Sequence, residues 1–361
     1  MLRTTASTPA VEIAVLKTVA QRFATSDIDE ANRHPPTGWT QVIYRLGEGP
    51  FRYEIVRVDL GDGLELEHAR FVGATRLVAT LAADAVHLLF PYGRDLRLSG
   101  VPVEPKLVVV SPPGVQFEGS TQVEGCGFDL VARGASFSSL LEAGLEGAPL
   151  LTPGRTALVM HETPAAEALR LALEGYFSLL ETREELAVDP VRVQRAREDM
   201  LELMRLTLLS LTTPGELALK GAHPRRRELA VSVEEWLWRQ LDDPLAPPMT
   251  LGAAARDLDV SIRSIQLAVE EHLGVSFVRL SRLVRLHQVH GALVQGAVSS
   301  VSEAATQHGF WHLGRFSRYY REVFGQPPSR TVRGARTQPP MASATRRTLM
   351  RRTLEALRTA S

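Results

Sequence analysis

Residues 300–324, SVSEAATQHGFWHLGRFSRYYREVF, carry the pattern on which the reading of this chain turns. Ser302 is placed to cap a short helix, Gly309 permits a tight turn, and Phe310 anchors that turn. A second helix is expected over residues 312–324. On it Phe316, Tyr320 and Phe324 recur every four residues, so one apolar stripe faces inward. His312, Leu313, Arg315, Arg318 and Tyr319 are left on the outer face, a set suited to bases and phosphates. Helix, tight turn, and a basic outward helix make a helix-turn-helix.

The same pattern stands 50 residues earlier. Residues 250–273, TLGAAARDLDVSIRSIQLAVEEHL, read as a thin helix capped by Thr250, a turn over residues 257–260, and a second helix capped by Ser261. Val260 and Ile265 are expected inside. Ser261, Arg263, Ser264, Gln266 and Leu267 are the residues expected to meet DNA near the start of that helix. Between the copies runs SFVRLSRLVRLHQVHGALVQ, which as a helix would span roughly 30 Å. A rigid spacer of that length could set two reading helices about one DNA turn apart, roughly 34 Å. Arg282 and Arg285 on the spacer, with Arg321, are the expected phosphate contacts.

Charge points the same way. Lys plus Arg equals Asp plus Glu at 41 each, yet from His272 onward there are fourteen Arg, no Lys and three Glu. That part is net +11 and the rest −11, a split typical of a polyanion-binding region joined to an acidic remainder.

Residues 309–329, GFWHLGRFSRYYREVFGQPPS, resemble the second motif of the AraC/XylS family of bacterial transcription regulators: Gly-Phe, then Phe-Ser-Arg, an aromatic, a basic residue, Phe-Gly and Pro-Ser. Arg285-Leu286 is similar to the Arg-Leu pair of the family's linker helix. The resemblance covers about residues 229–332. The first motif departs from the pattern at Leu267, Val269 and Phe277, where many members have Arg, Phe and Pro. Membership implies a cupin-like barrel and dimerising helices ahead of the DNA-binding domain. It also implies a barrel that senses a small molecule.

The residues upstream fit that order by themselves. From Gly38 to Val131 the sequence alternates apolar and polar residues around Gly-Glu-Gly-Pro and Gly-Asp-Gly, as hairpins do. Short strands at such spacing suggest a small antiparallel barrel or sandwich. Leu169, Leu173, Phe177 and Leu180 then recur at helical spacing. A further helix from Pro190 is apolar over much of its circumference, and must bury against a dimer partner or its own domain.

The expected fold is therefore α+β, an N-terminal antiparallel β-barrel with following helices and then an all-α domain holding two helix-turn-helix motifs. The expected divisions are an extension over 1–37, a sensor barrel over 38–160 and helices over 161–213. A linker over 214–228, a DNA-binding domain over 229–333 and a basic tail over 334–361 follow. Trp39, Tyr44, Arg76 and His87, with Arg57 and Tyr92 beside them, are the candidate pocket residues.

The function expected is a cytoplasmic, homodimeric regulator of transcription. It would bind double-stranded DNA, act as an activator through RNA polymerase, respond to a small-molecule effector, and touch no membrane. A barrel used only for dimerisation, with no ligand, is the alternative within the class. A metal-dependent cupin enzyme is the rival outside it. Such enzymes hold a metal with two or three His and a carboxylate, commonly with a His-x-His pair. The barrel region offers only His68 and His87, so no metal, cofactor or catalytic residue is expected. Cys126 reads as a small buried residue, and one of Trp236 and Trp238 as a core anchor.

Overall fold

A computed structural model describes residues 20–47, 49–93, 95–98, 101–152, 158–211, 224–242 and 249–335. The expected basic tail from 336, most of the linker over 214–228, and positions 1–19 of the extension lie outside the described residues.

Among the described residues twelve strands build the N-terminal domain. They are β1 (Ala20–Thr25), β2 (Trp39–Arg45), β3 (Arg52–Asp59), β4 (Leu64–Val72), β5 (Thr75–Leu81) and β6 (Ala85–Pro91). After them come β7 (Arg97–Leu98), β8 (Val101–Pro102), β9 (Leu107–Ser111), β10 (Gln116–Thr121), β11 (Glu124–Arg133) and β12 (Leu158–His161). A seven-stranded sheet has the order β1-β3-β4-β11-β6-β9-β12, and a five-stranded sheet the order β2-β5-β10-β7-β8. Every pairing is antiparallel. Helix α1 (Ile28–Asn32) follows β1, and Asp27 caps it by accepting from the Asp29 and Glu30 N–H groups. Residues 20–37, expected outside the barrel, thus carry one of its strands and a helix. The reason is pairing: β1 adds to β3 in a six-residue register, Ala20 opposite Val58 through Thr25 opposite Tyr53.

The two sheets face each other. Trp39, Leu81, Leu89, Val109 and Val131 from both sheets form one shared cluster. Helix α2 (Gly134–Leu140) closes the end of β11. Helices α3 (Pro164–Thr182), α4 (Glu184–Ala187) and α5 (Pro190–Leu211) then cover the outer face of the larger sheet. Met200, Met204, Leu208 and Leu211 of α5 pack there against Leu66, Leu88 and Phe90. Of the two burial routes open to this helix, the apolar face takes its own domain. Strand β6, AVHLLFP, is buried at every position because both of its faces are covered.

The C-terminal domain has helices α6 (Pro224–Asp242), α7 (Leu251–Asp257), α8 (Ile262–Leu273), α9 (Phe277–Gln295), α10 (Val301–Gln307), α11 (Leu313–Phe324) and α12 (Pro328–Ala335). It sits on the five-stranded sheet and on α1. Val42, Tyr44 and Val78 meet Val231, while Leu46 and Ala74 join Trp236, Ile265 and Phe277. Ile28, Ala31 and Ile43 join Leu286 and Leu293 of α9 and Phe316 and Phe324 of α11. The layers run helices, large sheet, small sheet, C-terminal domain.

Candidate nucleic-acid interface and effector cavity

The first helix-turn-helix is built as its caps require. The Thr250 hydroxyl accepts from the Ala253 N–H at 3.1 Å, and the Ser261 hydroxyl from the Ser264 N–H at 3.0 Å. Ile265, Ala268, Val269 and Leu273 turn inward and are buried. Ser261, Arg263, Gln266 and Leu267 stand exposed on the other face; Ser264 is half-buried, its hydroxyl 2.8 Å from that of Ser261.

In the second motif the cap of α10 is Ser300, not Ser302. Its hydroxyl accepts from the Glu303 N–H at 3.1 Å, and the Glu303 carboxylate accepts from the Ser299 N–H at 2.9 Å. Gly309 adopts φ +78° in the turn, and Phe310 is buried after it. On α11 Phe316, Tyr320 and Phe324 form the buried stripe. His312, Leu313, Arg315, Arg318 and Arg321 are exposed, with Tyr319 half-buried. The Tyr319 ring lies between two guanidinium groups, Arg282 at 4.3 Å and Arg318 at 5.2 Å from its centroid. Arg318 also reaches Glu322 at 3.5 Å.

Arg285 does something other than wait for phosphate. Its guanidinium stacks 5.0 Å over Phe310 and donates to the carbonyls of Ser281 and Gly309, at 3.3 and 3.4 Å. It fastens the second turn to α9, and burial lowers its pKa. Trp311, 77% exposed beside the outward face of α11, escaped the sequence reading; a Trp that the buried stripe does not use was the available signal.

Between the two sheets lies a cavity of about 90 Å³. Trp39, Phe71, Leu77 and Leu89 wall it, with Gln41, Thr121, His87 and Asp129 as polar groups. Trp39 and His87 are where a pocket reading put them. Tyr44 and Arg76 are not. Successive residues of a strand point to opposite faces. On β5 Thr75, Leu77 and Ala79 line the cavity, so Arg76 and Val78 face the C-terminal domain. Tyr44 likewise faces outward from β2. Arg57 pairs with Glu67 at 2.6 Å outside the cavity wall. Tyr92 bonds His68 in an aromatic group with Phe128 and Phe177.

What Tyr44 and Arg76 do instead is hold the two domains together. Arg76 lies 2.7 Å from Glu234 of α6 and donates to Glu118 of β10 at 3.1 Å. Glu118 is also 3.1 Å from Nε2 of His272, near the end of α8. The Tyr44 hydroxyl donates to Glu234 at 2.7 Å. Burial opposes the Arg76 charge, but the Glu234 and Glu118 carboxylates outweigh it and hold its pKa above the ordinary value. Burial raises the Tyr44 pKa well above its usual range. A second clasp joins Asp29 of α1 to His290 of α9, which is stacked on Phe324 and bonded to the Tyr320 hydroxyl. None of Glu118, Glu234, His272 or His290 was singled out from sequence, because separations of 42 to 261 residues leave no local signal.

His87 sits between Ser111, at 3.1 Å from Nδ1, and Asp129, at 2.6 Å from Nε2. The trio has the composition of a hydrolytic triad. Ser111, however, is wholly buried behind the imidazole and not on the cavity wall, so its hydroxyl meets no substrate there. Among the described residues no three His, Cys, Asp or Glu are grouped to hold a metal ion, and no helix is long and apolar enough to cross a membrane.

Residues 254–334 match a family model described as a helix-turn-helix domain. The chain is 29% identical over 167 residues to the "XylDLEGF operon transcriptional activator" of Pseudomonas putida, covering 45% of this chain and 49% of that protein. It is 34% identical over 88 residues to the "Probable thc operon regulatory protein" of Rhodococcus erythropolis, covering 24% and 26%. A solved structure titled a probable AraC family transcriptional regulator, from Rhodopseudomonas palustris, is 32% identical and covered to 96%, over 30% of this chain, with a TM-score of 0.27. Over its helix-turn-helix region the chain is of the AraC/XylS type. It spans half or less of the length of these curated relatives. The paired helix-turn-helix motifs lie on α7–α8 and α10–α11, joined by α9.

Proposed function

We propose that the chain is a cytoplasmic, sequence-specific transcription regulator, an activator controlled by a small molecule held between the two sheets of its N-terminal domain. The observation that carries this reading is the division of labour along β2, β5 and β10. One face of these strands walls the cavity, and the other clasps α6 and α8 through Tyr44, Arg76 and Glu118.

Arg263 and Gln266 of α8 read bases in one major groove, and Arg315 with its neighbours on α11 reads them in the next. Arg318, Arg321 and Arg282 supply phosphate contacts, with Tyr319 as the platform between two of them. A ligand shifts this system only by binding the clasped and released arrangements unequally. Seated against Thr75, Leu77 and Gly119, it acts within one residue of Arg76 and Glu118. The exposed Leu171 of α3 and Leu206 of α5 are apolar points on the outer helices through which two copies would pair. Contact with RNA polymerase follows from the activator role.

The test is binding of the purified full chain to DNA upstream of its own gene, against random DNA, across a salt series. A preference of about a hundredfold or more with a steep salt slope supports the reading. No preference at any salt, with or without the cavity probes named below, removes it.

A further inference from the structure

The cavity is asymmetric in what it offers a guest. Its walls are apolar and aromatic, from Trp39, Phe71, Leu77, Leu89 and Leu96, and among the described residues no Arg or Lys lines it. The charged side chain on the wall is Asp129, an acid whose Oδ1 already accepts from His87. An anionic guest would meet a carboxylate and no described Arg or Lys between mostly apolar walls, where an unpaired charge is strongly disfavoured.

Gln41 says what would be favoured instead. It lies on the wall, 6% exposed, and neither its amide nitrogen nor its amide oxygen completes a hydrogen bond among the described residues. The neighbouring Tyr53 hydroxyl donates to the His34 carbonyl at 3.2 Å, and its oxygen faces one Gln41 amide N–H, too loosely to satisfy the amide. Nearly all buried polar groups have partners, and an orphaned side-chain amide leaves a donor and an acceptor unmet side by side. A guest presenting an acceptor and a donor in the same spacing would meet both at once. A carboxamide, lactam or urea group does so; a carboxylate has no donor, and an ammonium no acceptor.

We propose that the cavity takes an uncharged, largely apolar ring compound bearing an amide-type group, whose N–H and C=O pair with the Gln41 side chain. This rests on the cavity being the effector site. The edge of the Trp39 ring beside His87, with centroids 5.0 Å apart, and the Phe71 face give such a ring an aromatic surround.

The test uses matched probes of one and two rings: benzamide, benzoate and benzylamine, then 2-naphthamide, 2-naphthoate and 2-naphthylmethylamine. Each is added to the full chain in a thermal melt. The amides are expected to raise Tm by roughly 2–4 °C near ten times Kd, with the acids and amines leaving it unmoved. Gln41→Leu, which removes an unmet polar group, is expected to fold at least as stably and to abolish the amide shift. Stabilisation by an acid or an amine equal to the amides, by none of the six, or by the amides undiminished in Gln41→Leu, would each overturn the proposal. The DNA-binding assay separates the two readings. An amide that binds without altering DNA affinity upholds this ligand class and removes the effector role. A carboxylate that binds and alters it does the reverse.

Discussion

The guanidinium of Arg76 lies 2.7 Å from the carboxylate of Glu234, one on the sheet that walls the cavity and the other on the first helix of the DNA-binding domain, and both side chains are at most 2% exposed. A buried pair of this kind adds little against well-packed apolar residues, but removing one partner strands the other charge. Its position ties the two domains through one guanidinium that serves two acids, beside the Asp29–His290 clasp and the shared apolar clusters.

Arg76→Met should therefore lower stability by about 3–5 kcal/mol, since Glu118 and Glu234 are left buried without their cation. Urea denaturation reads the loss, and small-angle scattering should show a larger radius of gyration as the domains part. Arg76→Met with Glu234→Leu should lose clearly less than the sum of the single changes. An unchanged denaturation midpoint in the single variant would show that this clasp does not hold the domains.

Three arginines near the second motif should separate by role. Arg315→Ala is expected to cost about 1–3 kcal/mol at one base position, as loss of a base contact does. Arg318→Ala should weaken binding to all sequences and lower the salt slope by roughly one. Arg285→Ala should leave that slope unchanged and lower thermal stability instead, by about 0.5–2 kcal/mol, because its partners are the Phe310 ring and the Gly309 carbonyl. A salt-dependent loss for Arg285→Ala would return it to the phosphate contacts.

Gly309→Ala tests the turn itself. The residue has φ +78°, and a Cβ there would stand 3.4 Å from the Arg285 guanidinium. The left-handed backbone disfavours Ala by about 1–2 kcal/mol, so Tm should fall and DNA affinity with it. Retention of both would mean that the turn relaxes freely.

Cys126 lies on the cavity wall, where burial pushes its thiol up to about 11. Only the thiolate reacts, so alkylation at pH 8 should be roughly a hundredfold slower than for a free thiol and should rise about tenfold per pH unit. The sign for stability follows: the fold favours the neutral thiol, so this contribution is intact below pH 9 and lost as pH climbs through about 11. Iodoacetamide labelling read by mass spectrometry gives the rate. Fast labelling at pH 8 would mean an open, water-filled wall.

Much of the interface was legible in the sequence because it is local. Phe316, Tyr320 and Phe324 lie on one face by helical spacing alone, and that leaves Arg315 and Arg318 outside whatever the rest of the chain does. Even the misplaced cap was written there: Ser300 and Glu303 stand in capping-box spacing, and Ser302 only looked equivalent. Arg285 could not be read the same way. On a helix wrapped by neighbours its direction does not tell whether it meets DNA or the ring of Phe310.

The sequence by itself determined the two helix-turn-helix motifs, their caps and outward residues, and a strand-rich domain before them. Only the tertiary structure decided what each face of that domain meets. Alternation along β5 says that Arg76 and Leu77 point opposite ways, and nothing local says which way is in. On β6 both faces are covered, so alternation is silent. The choice is made by what packs on each side. α6 and α8, more than a hundred residues away, cover the face of Arg76, and the opposing sheet covers the face of Leu77. A period-two pattern carries parity, while burial by distant elements assigns it.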